Sequence, residues 1–168
     1  MDVSNCITQV RVASLLALFL MVSSIAPGSA EGPKPVVPPS GVIATKSAYA
    51  MAETVDRLKR DIAAKGITFF QEIDQAALAA KAGIELRPST LLIFGNPPLG
   101  TQFITANPQA GLDWPVRLLV YRDELGAVWT AYTDFAWIAK RHGVLSRDAQ
   151  FHMASGVAAS IVSSVAAR

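Results

Sequence analysis

Two stretches of strand-forming residues, Val116 to Arg122 and Ala127 to Tyr132, are separated only by Asp123-Glu124-Leu125-Gly126. Turn chemistry over so short a gap folds the two into an antiparallel hairpin. A lone hairpin is marginal in water and needs further elements to cover it; the rest of the chain offers both strands and helices. Residues 42 to 49 read as a first strand. Val55, Leu58 and Ile62 then recur at helical spacing until Gly66, where a left-handed helix terminus favours glycine. Ile67-Thr68-Phe69-Phe70 is β-branched and aromatic and predicts a second strand. Asp74 is placed to cap a short alanine-rich helix that Gly83 ends. The apolar run Thr90-Leu91-Leu92-Ile93-Phe94 predicts a strand covered on both faces, or at least a central one. Gly95-Asn96-Pro97-Pro98 breaks that run, a short helix is expected from about Leu99 to Ala106, and Pro108 and Gly111 close it.

Asp134 is placed to cap a helix in which Phe135, Ile138, Ala139 and His142 share one face, with Gly143 at its end. Ser146 is the expected cap of a last helix that carries Phe151, Ile161, Val162 and Val165 and runs to Arg168. A hairpin combined with strands separated by helices defines the expected class: α+β, with helices layered on a mostly antiparallel sheet, and a C-terminal helix over residues 146–168. Between Gln150 and Ala167 there is no charged residue, but His152 and the serines at 155, 160, 163 and 164 are costly in lipid. The small residues there suit close packing, so this helix is expected to dock on the domain or across a dimer.

The first 30 residues follow signal-peptide grammar: Arg11, an uncharged apolar run from Val12 to Val22, then Gly28-Ser29-Ala30. The apolar run is shorter than the ~20 residues of a spanning helix, so cleavage near Ala30 is expected, with no stable membrane span afterwards and a periplasmic or secreted product. Residues 31–40 hold four prolines and read as a linker to a domain over residues 41–145. Cys6, the only cysteine, lies in the expected leader, so the mature chain has no thiol for a disulfide, a metal or a nucleophile. The chain carries 15 basic and 13 acidic residues, a formal net charge of +2. They are interleaved, as in Asp56-Arg57-Leu58-Lys59-Arg60-Asp61, which is a solvated face rather than a phosphate-tracking stripe; nucleic acid is not an expected partner.

Lys65-Gly66-Ile67-Thr68-Phe69-Phe70, Ile73-Asp74-Gln75-Ala76-Ala77 and Arg87-Pro88-Ser89-Thr90-Leu91-Leu92-Ile93-Phe94-Gly95-Asn96-Pro97 form an ordered set. Gly100-Thr101, the run Leu112-Asp113-Trp114-Pro115-Val116-Arg117, Val128-Trp129 and Arg141-His142-Gly143 continue it. Over about residues 42 to 145 the chain thereby resembles the bacterial domain of unknown function 302. The resemblance implies a curved antiparallel sheet with helices on one side, similar to the TATA-binding-protein-like class, and carries no established activity. Thr133 stands where the family usually has Asn, and Gln102-Phe103-Ile104 replaces a more typical Pro-Leu-Met.

Only His142 and His152 can serve as imidazole bases in the chain. Asp134 lies two turns before His142, too far along the helix to orient it, and no nucleophile elbow is present. Two histidines with Met51 and Met153 do not make a convergent ligand set, so no metal and no cofactor is expected. The best site is the glycine-bearing segment Gly95 to Thr101, which follows a central strand and presents backbone N–H groups; its bland alternative is a turn in which Asn96 bonds its own backbone and Thr101 caps a helix. The candidate binding residues are Asn96, Thr101, Tyr132 and His142. Trp114, Trp129, Trp137 and Tyr121 are expected in the core or at an interface. The reading is an exported, non-enzymatic, homodimeric module that binds a small ligand or an envelope protein; the alternative is a small hydrolase or lyase with His142 as general base.

Overall fold

The computed structural model describes residues 40–167. The expected leader, and the linker up to residue 39, lie outside the described residues. The elements in chain order are β1 (Val42–Lys46), α1 (Met51–Ala64), β2 (Thr68–Asp74), α2 (Gln75–Lys81), β3 (Ser89–Gly95), α3 (Pro97–Ala106), a 3-10 helix (Pro108–Asp113), β4 (Val116–Arg122), β5 (Val128–Thr133), α4 (Phe135–Arg141) and α5 (Asp148–Ser163). The strands form one antiparallel sheet in the order β1-β5-β4-β3-β2. This is the α+β class expected from the sequence.

The hairpin stands as the residues dictate, with Arg122 opposite Val128. Asp123 fixes its turn by accepting from the Leu125 and Ala127 N–H groups and, at 2.7 Å, from the Trp129 indole. That indole bond is the main reason its carboxyl titrates below the usual carboxylate range. Helix starts follow the short polar side chains: Asp74 caps α2 through Ala77 N, and Asp134 caps α4 through Trp137 N.

One sheet face makes the core. The cross-strand rows Leu92–Leu118–Tyr132 and Thr90–Val120–Thr130 are buried on it. Leu58 and Ile62 of α1, Phe135 and Ile138 of α4, and Phe151, Ile161 and Val162 of α5 complete the same cluster. On the opposite face Leu91, Ile93, Leu119, Tyr121 and Trp129 are only half-buried. The β3 run is therefore internal to the sheet but not covered on both sides: Leu92 and Phe94 point to the helices, and Leu91 and Ile93 point away.

Several boundaries differ from the sequence reading. β1 stops at Lys46 because the Ser47 hydroxyl turns the chain, meeting the Thr54 hydroxyl at 2.7 Å and accepting from Tyr49 N. β2 continues to Asp74 past a bulge between Phe69 and Gln71, its length hidden by the polar pair Gln71-Glu72. α3 starts at Pro97 because its prolines occupy the first helical turn, where no N–H is required. Arg147, not Ser146, stands at the α5 N-cap. α5 ends at Ser163, where the Ser163 and Ser164 hydroxyls donate to the carbonyls of Ser160 and Ile161. The chain then returns to the first strand: Ala48 N donates to Val165 O and Ala167 N to Lys46 O, both at 2.9 Å. Among the described residues no helix is long and apolar enough to cross a membrane.

Candidate functional site

A cleft of about 530 Å³ opens beside the end of β3, between the first turns of α3 and the middle of α5. Its apolar wall comes from Ile67, Phe94, Leu99, Phe103, Val116 and Phe135. Phe103 is 3% exposed and stacks on Phe151 at 4.1 Å between centroids, a rigid floor anchored in the core. α5 contributes Met153 and Val157 together with the small residues Ala154, Gly156 and Ala158. Where larger side chains would have filled the space between α5 and the sheet, these leave it open.

Trp114 shapes the other wall. Gly100 lies directly under its indole, so a Cβ there would overlap the ring, and a Cβ on Gly95 would sit 3.1 Å from Nε1. Gly100 is thus required by close approach of the ring, and Gly95 leaves room for a Cβ only in tight contact with it. Phe70, carried outward at the β2 bulge, meets Trp114 edge-on at 6.1 Å. Trp114 lines the cleft, its Nε1 lies against Gly95 and Gly100, and its N–H has no acceptor among the described residues. Asn96 caps α3 by accepting from Leu99 N at 3.2 Å, which leaves its amide N–H donors free for the cleft mouth. Lys65 also lines the cleft and pairs with Asp61 at 2.6 Å. The lining contains no histidine and no carboxylate among the described residues.

A second polar cluster lies next to Trp114 in sequence. Asp113, 9% exposed, receives His142 Nε2 at 2.6 Å, Arg141 Nη1 at 3.2 Å and Arg117 Nη2 at 3.1 Å. Arg117 also donates to Leu112 O, and the Asn107 amide donates to His142 O at 2.8 Å. These bonds tie the 3-10 helix to β4 and to the end of α4. The crevice that reaches Asp113 holds about 10 Å³, the size of one water. The His142–Asp113 pair is buried and joins three elements.

The four candidate binding residues are not brought together. Asn96 lines the cleft as expected. Thr101 neither caps α3 nor lines the cleft; it is exposed inside the helix and its hydroxyl donates to Pro97 O at 2.7 Å. Tyr132 is buried in the core row, and burial, with the nearby Asp134 charge, raises its phenol above the ordinary value. His142 is buried on Asp113, an acid the sequence reading did not consider. Asp134 is engaged elsewhere, capping α4 and accepting nothing from the imidazole. Sequence reasoning missed Trp114 as a cleft residue, placing it in the core or an interface; the paired glycines Gly95 and Gly100 were the available signal for a large ring nearby. The same reading took the small residues of α5 as packing.

These features define a small α+β domain with an apolar cleft at one end of its sheet. The chain belongs to the family described as domain of unknown function DUF302, whose sequence profile matches residues 43–163 and so includes α5. A crystal structure of an uncharacterized conserved protein DUF302 from Bacillus stearothermophilus shares the fold, with a TM-score of 0.68 over 74% of this chain and 98% of that one at 15% identity. Curated relatives are "Fluoride-specific ion channel FluC 1" of Brucella suis and "Fluoride-specific ion channel FluC 2" of Brucella melitensis. Each is 39% identical over 110 residues, covering 65% of this chain and 43% and 41% of those proteins. The chain thus spans less than half the length of these relatives.

Proposed function

We propose that the protein is a non-enzymatic binding module, exported after loss of its leader, that holds a small and mainly apolar ligand in the cleft between α3 and α5. The observation that carries this reading is the cleft itself: about 530 Å³, walled by aromatic and aliphatic side chains, with a few donors gathered at one end. That volume and lining are what small-molecule sites have in general. Against the hydrolase or lyase alternative stands the placement of His142, which is outside the lining of this cleft and is held by Asp113. Export rests on the sequence of the first 30 residues. The relatives named as fluoride channels, matched over less than half their length, support a setting beside a membrane protein. A homodimer through the open sheet face, with Leu91, Leu119 and Trp129 half-buried, is part of the same reading, and light scattering that returns a monomer mass would remove that part.

Gly156 supplies the test. It is exposed, lines the cleft, and has open space for at least 4 Å around the point where a Cβ would stand. Gly156→Leu is expected to fill the cleft while keeping or raising the melting temperature, since leucine replaces glycine in a helix with a gain of about 1 kcal/mol. The wild type is expected to bind the neutral fluorophore N-phenylnaphthylamine saturably, and Gly156→Leu to lose that binding. Equal binding by both proteins would place the apolar site elsewhere.

A further inference from the structure

The donors of the cleft converge at one end of it. Thr68 opens β2 opposite Gly95, the last residue of β3, so the segment from Lys65 to Thr68 runs past the end of β3. Asn96 follows Gly95 directly and caps α3. The Trp114 Nε1–H lies against both Gly95 and Gly100, the latter one turn into α3. Lys65, Asn96 and Trp114 thus bring an ammonium, a primary amide and an indole N–H into one lining, the ammonium held by Asp61, and among the described residues no carboxylate lines the cleft with them. Away from the Gly95–Asn96 corner the wall is apolar, from Leu99 and Phe103 to Met153 and Val157. The exception is Ser160, whose hydroxyl can donate or accept.

From this polarity we infer that the ligand is an amphiphilic anion, an apolar chain or ring bearing a carboxylate, whose head sits at the Gly95–Asn96 corner. The inference rests on reading the cleft as a ligand site and adds the charge and orientation of what it takes. Two neutral donors without an acceptor, beside an ammonium already held by Asp61, favour an acceptor-only group, and a carboxylate accepts from Asn96, Trp114 and the remaining Lys65 N–H. A cationic head meets the like charge of Lys65 and finds no carboxylate in the lining. A neutral alcohol satisfies one or two donors and leaves the ammonium to Asp61 alone. Asp61 is the competitor: its two carboxylate oxygens hold Lys65 Nζ at 2.7 and 2.6 Å in a partly exposed pair, and a bound carboxylate shares that ammonium.

The test displaces N-phenylnaphthylamine with three compounds that share one apolar body: decanoate, decanol and decyltrimethylammonium. Decanoate is expected to bind roughly tenfold more tightly than decanol and more tightly still than the ammonium, the size of a charge-assisted head contact. Lys65→Met is expected to bring decanoate to within about twofold of decanol with an unchanged melting temperature, since a single partly exposed charge has been removed. Asp61→Asn is expected to tighten decanoate and leave decanol alone. Equal displacement by all three compounds would overturn the anionic head while leaving the apolar site standing. Absence of any binding, fluorophore included, would instead overturn the cleft as a ligand site. Decanoate preference that survives Lys65→Met and a Trp114→Phe change together would show that the head lies at another end of the cleft.

Discussion

Asp113→Ala is expected to lower the unfolding free energy by about 3 kcal/mol, the scale of removing one partner from a buried ionic cluster. The carboxylate is 9% exposed and receives a histidine from the end of α4, an arginine beside it and an arginine from β4. Without it the His142 ring is buried with no acceptor, and Arg117 and Arg141 lose the group that draws them to the same point. Urea unfolding measures the effect through the midpoint at constant slope. Asp113→Asn keeps the shape and part of the hydrogen bonding and is expected to cost less. The double change with His142→Ala is expected to cost less than the sum of the two, because they share one contact. A loss below about 1 kcal/mol for Asp113→Ala would mean that the cluster is a surface ion pair in effect, and that the 3-10 helix is held by something else.

Gly41→Ala is expected to cost about 3 kcal/mol, from two sources that can be separated. Gly41 has φ +70°, which any L residue resists by roughly 1 to 2 kcal/mol. A Cβ there would also overlap the Trp137 ring, and overpacking of that kind adds about 1 to 3 kcal/mol. Gly66 is the internal control: its φ is +65°, and nothing lies within 4 Å of where its Cβ would stand. Gly66→Ala is therefore expected to show the backbone strain alone, about 1 kcal/mol. If the two substitutions cost the same in thermal or urea unfolding, Trp137 moves aside freely and does not anchor the start of β1 to α4.

The parts of the fold legible in the sequence were those fixed by neighbours in the chain. The hairpin of β4 and β5 needed only Asp123 to Gly126 between two strand-forming runs, and the caps at Asp74 and Asp134 bond residues three positions away. The boundaries that differ have mixed causes: local ones at α3, where two prolines fill the first turn, and distant ones after α5, where the chain returns to Lys46 and Ala48, more than a hundred residues earlier. The candidate site was legible in part. Asn96, expected as part of the glycine-bearing segment after a central strand, lines the cleft; its cap of α3 is not legible from a helix expected only near Leu99. Thr101 follows Asn96 by one turn and a residue, but faces solvent once α3 begins at Pro97. Tyr132 read as a strand-end residue and is in register with Leu118 in the core row. His142 and Asp113 stand 29 residues apart, and their two runs, Leu112 to Arg117 and Arg141 to Gly143, were both among the residues that carry the family resemblance. Nothing in either run alone says that they meet. The cleft was hidden most deeply, because alanines and a glycine on a helix describe tight packing and an open space equally well.

The central claim is that the cleft beside Trp114 binds a ligand, and the three indole N–H resonances of the protein report on it separately. Trp129 donates to Asp123 in the hairpin turn and Trp137 packs beside Gly41, so both stand away from the cleft lining. Titrating decanoate into the nitrogen-15 labelled protein is expected to shift the Trp114 Nε1–H signal saturably and to leave those of Trp129 and Trp137 in place. A saturable shift at Trp129 or Trp137 with Trp114 unmoved would contradict the account, as would three unmoved signals at saturating decanoate.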